Sequence, residues 1–335
     1  MRSKFAPGFR ELFVCALTLI CLTAMVAAQD KKDQGPALSG DERSAIEKLV
    51  KAQGLEAKTK AAAEYAKKFP KGVKRAEVAG TIANEIYKIQ DNNQKIKAAE
   101  EFSKMFNQPG EPDLVRPSLI EAYFATNKFD QALDESAKYL EKNPDDVTIH
   151  VQVTWAGATQ TQRQAASPKL MKAAVESAAK GAELMGADKK PSWMADDRWK
   201  EYKNSWLWRL YYARGVVLIA NGQKAEAKES VEQAFGLEQN DVGLLLMLVN
   251  LTNEEYQAIA QKYQTEKKPE LMDQALAKMD EVIDYLARGV GACEGNAQLK
   301  QTQDQLLDNL KQYYSFRNNG KTEGLTGLIE KYKKK

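Results

Sequence analysis

Histidine is almost missing from this sequence: His150 is the only one in 335 residues. Acid–base and nucleophilic chemistry near neutral pH usually needs a histidine beside a serine or cysteine and a third orienting group. His150 follows Pro144-Asp145-Asp146 near the start of a helical segment, and no nucleophile or carboxylate pair marks a site around it. No catalytic residues are assigned, and the chain is expected not to be an enzyme. Cysteine is nearly as scarce. Cys15 and Cys21 sit in an apolar N-terminal run, which leaves Cys293 for the rest of the chain. One cysteine makes no internal disulfide, so the body must be held by packing. Its surroundings, "GVGACEGN", read as an exposed loop, where a lone thiol could pair between chains. Metal ligands are equally short: one histidine, one cysteine, and acids spread along polar helix faces. Gly289-Val290-Gly291 is no phosphate loop, because no strand precedes it and no lysine-serine or lysine-threonine pair follows. It is expected to end a helix, and no cofactor or metal is implied.

Two further absences set the fold class. No segment alternates apolar and polar residues as a half-buried strand would, and proline is sparse. No sign of charge dominates either, with 49 basic against 46 acidic side chains. That balance gives no electrostatic case for nucleic acid.

What is present begins with a leader. Arg2, Lys4 and Arg10 precede an apolar run over 12–28 that ends in Val26-Ala27-Ala28. This is the layout of a secretory signal peptide, 1–28, with cleavage after Ala28. The alternative is an uncleaved anchor, for which the run is short. Removal takes away three basic residues and Glu11, leaving 46 basic against 45 acidic side chains and no stable membrane span. The expected destination is a bacterial periplasm, with the extracellular space as the other. Residues 29–38, "QDKKDQGPAL", read as a flexible tether, and 39–335 as one helical domain.

The helical domain repeats. "KTKAAAEYAKKFP" at 58–70 lies over "KIKAAEEFSKMFN" at 95–107, and a further 37 residues brings Pro144 over Asn107 and Pro70. A fixed unit of this length is a helix pair that cannot bury its apolar faces alone and needs neighbours of its kind. Helix pairs are expected near 41–70, 73–107, 113–144, 147–186, 208–241 and 242–288, with C-terminal helices over 296–334. Ser39, three residues before Glu42, has the spacing of a capping box, and Gly54 is expected to break the first helix. "TQTQRQAASP" at 159–168 reads as a loose turn, and 186–204 as an insertion. The stretch 242–250 reads as a buried helix, separate from another at 253–266. The sequon Asn250-Leu251-Thr252 falls where a glycan is not expected to fit.

The clearest unit spans 116–144. Its first helix carries Arg116-x2-Leu119-Ile120-x2-Tyr123, and its second Ala132-x3-Ser136, then Tyr139 and Pro144, with a turn at Asn127-Lys128. A second copy reads Tyr211-x2-Arg214-Gly215-x2-Leu218, then Ala227-x3-Val231 and Ala234, with a turn at Asn221-Gly222. These residues resemble the tetratricopeptide repeat family, as a divergent exported member. The resemblance implies an all-α, right-handed α-solenoid of stacked antiparallel helix pairs, acting as an adaptor for a protein or peptide.

In that family a stripe on each first helix lines a concave groove. Here Pro117, Glu121 and Phe124 form such a stripe; 37 residues back lie Gly80, Asn84 and Tyr87, and 95 forward lie Tyr212, Val216 and Ile219. The partner groove is accordingly assigned to Asn84, Tyr87, Glu121, Phe124, Tyr212 and Val216. Phe124 and Ile219 would otherwise be shared core. An alternative contact is aromatic: Trp193, Trp199, Trp206 and Trp208 crowd together. Rings at this density suit a cell-envelope polymer or glycan, or the packing of the insertion. Trp199, Tyr202 and Trp206 fall on one helical face continuing to Leu210 and Ala213, the pattern of packing.

Overall fold

The structure is a computed structural model that describes residues 38–333. The leader, its cleavage site, tether residues 29–37 and the last two lysines lie outside the described residues. Among those described there are α-helices and two short 3-10 turns, and no strand. The described residues divide into two compact units: 38–152 with 190–198, and 153–189 with 199–333.

The first unit contains α1 (Gly40–Lys51), α2 (Gly54–Lys68), α3 (Arg75–Tyr87), α4 (Asn92–Met105), α5 (Arg116–Ala125), α6 (Phe129–Lys142) and residues 147–152 of α7 (Val147–Gln162). From α1 to α6 each helix packs on the next in sequence, which is the stacking the repeat calls for. The repeat is visible in the backbone. Helices α2, α4 and α6 end at 68, 105 and 142, and Phe69, Phe106 and Asn143 then leave the helix in one conformation. Each donates its N–H to the carbonyl four residues back, at 2.8, 2.7 and 3.0 Å. The core has the same period: Val78 and Val115, Ile82 and Leu119, Ala83 and Ile120, and Ile86 and Tyr123 are all buried. So are Ala62, Ala99 and Ser136 on the second helices. Small residues there let paired helices approach, and each large apolar side chain withdrawn from water contributes about 1.5–3 kcal/mol.

Charged residues tie helices together both between pairs and within them. Arg75, at the start of α3, donates to Glu111 at 2.7 Å and to the carbonyl of Ala66 at 3.1 Å, with its guanidinium over the Phe106 ring. Arg116, at the start of α5, pairs with Glu135 at 2.9 Å and with Asp113. The start of α1 departs from a full capping box. Ser39 Oγ accepts the Glu42 N–H at 3.1 Å, but the Glu42 carboxylate is buried and accepts from Tyr65 Oη at 2.5 Å and Lys74 N at 3.2 Å. Burial and this carboxylate push the Tyr65 hydroxyl pKa upward. Gly54 does not simply break α1: the chain turns at Ala52 and Gln53, and Gly54 opens α2.

The second unit holds the remainder of α7, α8 (Pro168–Gly186), α9 (Asp196–Ala220) from residue 199, α10 (Lys224–Leu237), α11 (Val242–Glu266), α12 (Pro269–Ala292), α13 (Lys300–Arg317) and α14 (Leu325–Glu330). Here α10 packs on α11, α11 on α12, and α12 on both α13 and α14. Several expected boundaries move. The run 159–162 is helical, so the turn before α8 is short, and Ser167 caps α8 by accepting the N–H of Leu170. Residues 196–204 of the expected insertion are the first turns of a 25-residue α9. Nothing interrupts α11, whose apolar start runs on into a polar helix through 266. The glycines at 289 and 291 lie inside α12, and α14 is much shorter than the expected C-terminal helix. Within α11, Asn250 is exposed while Thr252 is fully buried, so the sequon's asparagine has more room than its apolar flank suggests.

Candidate functional site

Two of the expected groove residues, Tyr87 and Glu121, meet around a side chain that the sequence pattern did not single out. Asn84 and Tyr87 lie one turn apart on α3, and Glu121 and Phe124 occupy the equivalent turn of α5. Lys95, from the first turns of α4, lies between Tyr87 and Glu121. Its ammonium is 4.0 Å from the Glu121 carboxylate and 5.8 Å from the centre of the Tyr87 ring. Lys95 is only 8 % exposed. Burial pushes the Glu121 carboxyl upward, against the opposing pull of Lys95, and burial followed by the Glu121 charge pushes the Tyr87 hydroxyl upward. Asn84 is exposed, and Phe124 is half-buried, 6.5 Å from Phe129 ring to ring and packed against the unit's core. Phe124 therefore belongs partly to the core, and Asn84, Tyr87 and Glu121 remain within reach of solvent.

A trace of Lys95 was present in the repeat. It heads the segment that lies over 58–70, and its counterpart Lys58 also reaches a glutamate on a first helix, Glu85, at 3.0 Å. That glutamate is held below the ordinary carboxylate range by Lys58 and Lys88, despite its burial.

Tyr212 and Val216 belong to the second unit. Tyr212 Oη accepts from Gln162 Nε2 at 3.0 Å, and burial raises the Tyr212 hydroxyl pKa. Tyr212 packs beside the core around Leu244 and Leu248, and Val216 beside the cluster of Ala158, Ala174, Ala213 and Val217. Tyr87 and Phe124 are thus brought together in one unit, and Tyr212 and Val216 in the other.

The tryptophans separate by burial. Trp199 and Tyr202 are buried, with rings stacked at 6.4 Å, and Trp199 Nε1 donates to Asp188 at 2.9 Å. Trp206 continues the row at 6.2 Å from Tyr202 and meets Trp155 edge-on at 5.6 Å. Trp155 was not singled out in the sequence because it stands alone on α7. Trp208 is half-buried beside Tyr212, with the Arg209 guanidinium 4.6 Å from its ring centre. Trp193, in the first unit, is 38 % exposed.

Cys293 is not in an exposed loop. It follows the last residue of α12, is 1 % exposed, and shares a core with Leu306, Leu310 and Leu325, so burial raises its thiol pKa. The expectation of pairing between chains is withdrawn, because an enclosed thiol cannot meet a second chain. His150 is buried on α7, with Nε2 at 3.3 Å from the carbonyl of Pro144. Among the described residues no three histidine, cysteine or acidic side chains lie close enough to share a metal ion, and no helix is long and apolar enough to cross a membrane.

No family model matches the sequence, and no curated protein matches it either. Among solved structures, a thermophilic TPR protein of Thermus thermophilus aligns at 14 % identity with a TM-score of 0.35, over 69 % of this chain and 98 % of its own. A tetratricopeptide repeat protein of Parabacteroides merdae aligns at 11 % identity with a TM-score of 0.31, over 80 % of this chain and all of its own. The all-α helix-pair architecture stands on the chain's own repeat and packing.

Proposed function

We propose that this protein is a non-enzymatic scaffold that holds a protein or peptide against the first helices of its repeats, and that it works after export. The observation carrying this reading is the meeting of Tyr87 and Glu121 around Lys95. The Tyr87 ring and the Glu121 carboxylate, both partly open, stand on helices one repeat apart around the buried Lys95 ammonium. Such a group supplies ring area together with a hydrogen-bond donor and an acceptor, as partner surfaces do. Stacked helix pairs supply a rigid base for it.

The test is capture from the native source followed by titration of the purified partner. The mature chain should retain a partner that Tyr87→Ala with Phe124→Ala loses, with helicity unchanged by circular dichroism. Each anchor is worth about 2 kcal/mol or more where it behaves as an interface hot spot. Undiminished binding to the double variant sinks this reading. Export has its own check, an intact mass beginning at Gln29. The glycan reading has less behind it, since Trp199 and Tyr202 are occupied in packing. A saturable change of tryptophan fluorescence with envelope oligosaccharides would favour it.

A further inference from the structure

The joints that follow α2 and α4 lie side by side on the first unit. Gln108 Nε2 donates to the carbonyl of Pro70 at 2.5 Å, and Arg75 reaches the carbonyls of Ala66 and Met105 at 3.1 and 3.3 Å. Charge is sorted by sign at this edge. The acids of the second joint turn inward onto arginines, Glu111 to Arg75 and Asp113 to Arg116, with side chains 11 % and 15 % exposed. Lysines turn outward. Lys67 and Lys68 lie in the last turn of α2, Lys71 in the first joint and Lys104 in the last turn of α4, and all four are exposed. The exposed acids beside them, Asp41 and Glu77, are held by Lys68 at 3.2 Å and Lys74 at 2.5 Å. Among the described residues, Lys67, Lys71 and Lys104 form no ion pair. Two large apolar side chains share the edge with these cations: Val73, 45 % exposed in the first joint, and Leu114, 49 % exposed in the second.

A single exposed apolar residue is ordinary on a protein surface. Here the joint is built to hold one outward. The Lys74 N–H is bonded to buried Glu42, and a Cβ on Gly72 would collide with the Tyr65 hydroxyl, so the chain on both sides of Val73 is pressed against the core. The helix dipole accounts for lysines in the last turns of α2 and α4, but Lys71 lies outside any helix. Unpaired ammonium groups with apolar tips beside them match an anionic lipid surface, which offers phosphates to the first and a head-group boundary to the second. A soluble polyanion would engage the lysines and leave Val73 and Leu114 in water. We propose that this edge docks the protein on an anionic membrane surface, with Lys67, Lys68, Lys71 and Lys104 meeting lipid phosphates and Val73 and Leu114 entering the head-group layer. The edge lies at the start of α3 and Tyr87 at its end, so the inference does not rest on the scaffold reading.

The experiment sediments the chain from Gln29 onward with vesicles of phosphatidylcholine alone and of phosphatidylcholine mixed equally with phosphatidylglycerol. Attachment is expected to the anionic vesicles only, and to weaken as salt is added. Each lysine held at such a surface strengthens attachment about fivefold, so Lys67→Gln with Lys71→Gln should weaken it about twentyfold. Lys67→Arg with Lys71→Arg keeps the charges and should bind as the wild type does. Val73→Ser with Leu114→Ser should weaken attachment while leaving its salt dependence in place. Thermal midpoints establish that the variants are folded, and inorganic phosphate at matched ionic strength should release nothing. Equal attachment to neutral vesicles, no attachment to anionic ones, or wild-type binding by either the glutamine or the serine variant would overturn the proposal. So would release by phosphate, or tighter binding to soluble heparin than to the anionic vesicles.

Discussion

Lys95 and Glu121 stand 4.0 Å apart, close enough to attract but beyond a direct hydrogen bond, with the Tyr87 ring beside the ammonium. The pair joins the second helix of one repeat to the first helix of the next. Its geometry is looser than that of a more buried pair in the unit, Arg75 with Glu111 at 2.7 Å, where the acid also accepts the N–H of Gln108. One pair holds the stack together, and the other retains hydrogen-bonding capacity on the face assigned to a partner.

The two roles separate by pH. The Glu121 carboxyl is raised by burial above its ordinary value of 4.5. The folded chain therefore binds this proton more tightly than the unfolded chain does. The stabilisation is fully present below the unfolded pKa and is lost as pH rises through the folded one. Glu121→Gln should abolish this loss, so its thermal midpoint should gain on that of the wild type as pH rises from 4.5 to neutrality. If the wild type instead gains on the variant, attraction to Lys95 outweighs burial.

Glu42 offers a contrasting test. It is buried and accepts from both the Tyr65 hydroxyl and the Lys74 N–H. Glu42→Ala removes the acceptor and leaves the buried hydroxyl of Tyr65 unsatisfied, which costs about 1–3 kcal/mol. Denaturant unfolding should show a lower midpoint with the slope unchanged.

The second unit has a steric test at Gly215. A Cβ there would stand 2.6 Å from Val231 Cγ2 and 3.5 Å from the carbonyl of Ala227, because α9 and α10 touch closely at that point. Gly215→Val should overpack the joint and lower stability by about 1–3 kcal/mol in calorimetry. An unmoved thermal midpoint would mean that the two helices do not meet there.

Cys293 gives a chemical readout of the C-terminal segment. A Cβ at Gly291 would lie 2.6 Å from the carbonyl oxygen of Tyr332, and Tyr332 packs in the same core as Cys293. The wild-type thiol should react slowly with a thiol reagent under native conditions. Gly291→Ala should displace the segment around Tyr332 and accelerate the reaction about tenfold or more, as local opening becomes easier. A freely reactive wild-type thiol would contradict its enclosure.

Much of the helix-pair fold was legible because it rests on periodicity: the 37-residue spacing, the turns at Asn127 and Gly222, and the alanines at 132 and 227, both fully buried. Boundaries were less legible where apolar pattern and polar composition conflict. "TQTQ" at 159–162 lacks an apolar face yet continues α7, and 251–252 carries no signal to stop α11. The burial of Cys293 was hidden because the segment covering it, 325–332, comes much later in the chain. At the candidate site the stripe on α3 and α5 could be chosen by helical angle, but Lys95 could not. What distinguishes it is its place between Tyr87 and Glu121, which depends on how two repeats stack rather than on any local pattern.

The shared exit conformation at Phe69, Phe106 and Asn143 has a consequence for how this protein can vary in length. Leaving each second helix in one direction gives the chain three equivalent exits. A duplication or excision of 37 residues, cut at equivalent places, would reconnect in phase, with every apolar face still turned inward. A change of any other size would rotate the following helix on its axis and carry Val115, Leu119 and Tyr123 out of register with the faces they cover. The link ahead of α5, with its 3-10 turn at Pro112–Leu114, is the longest of the three links and the place where such an irregular step is most readily absorbed.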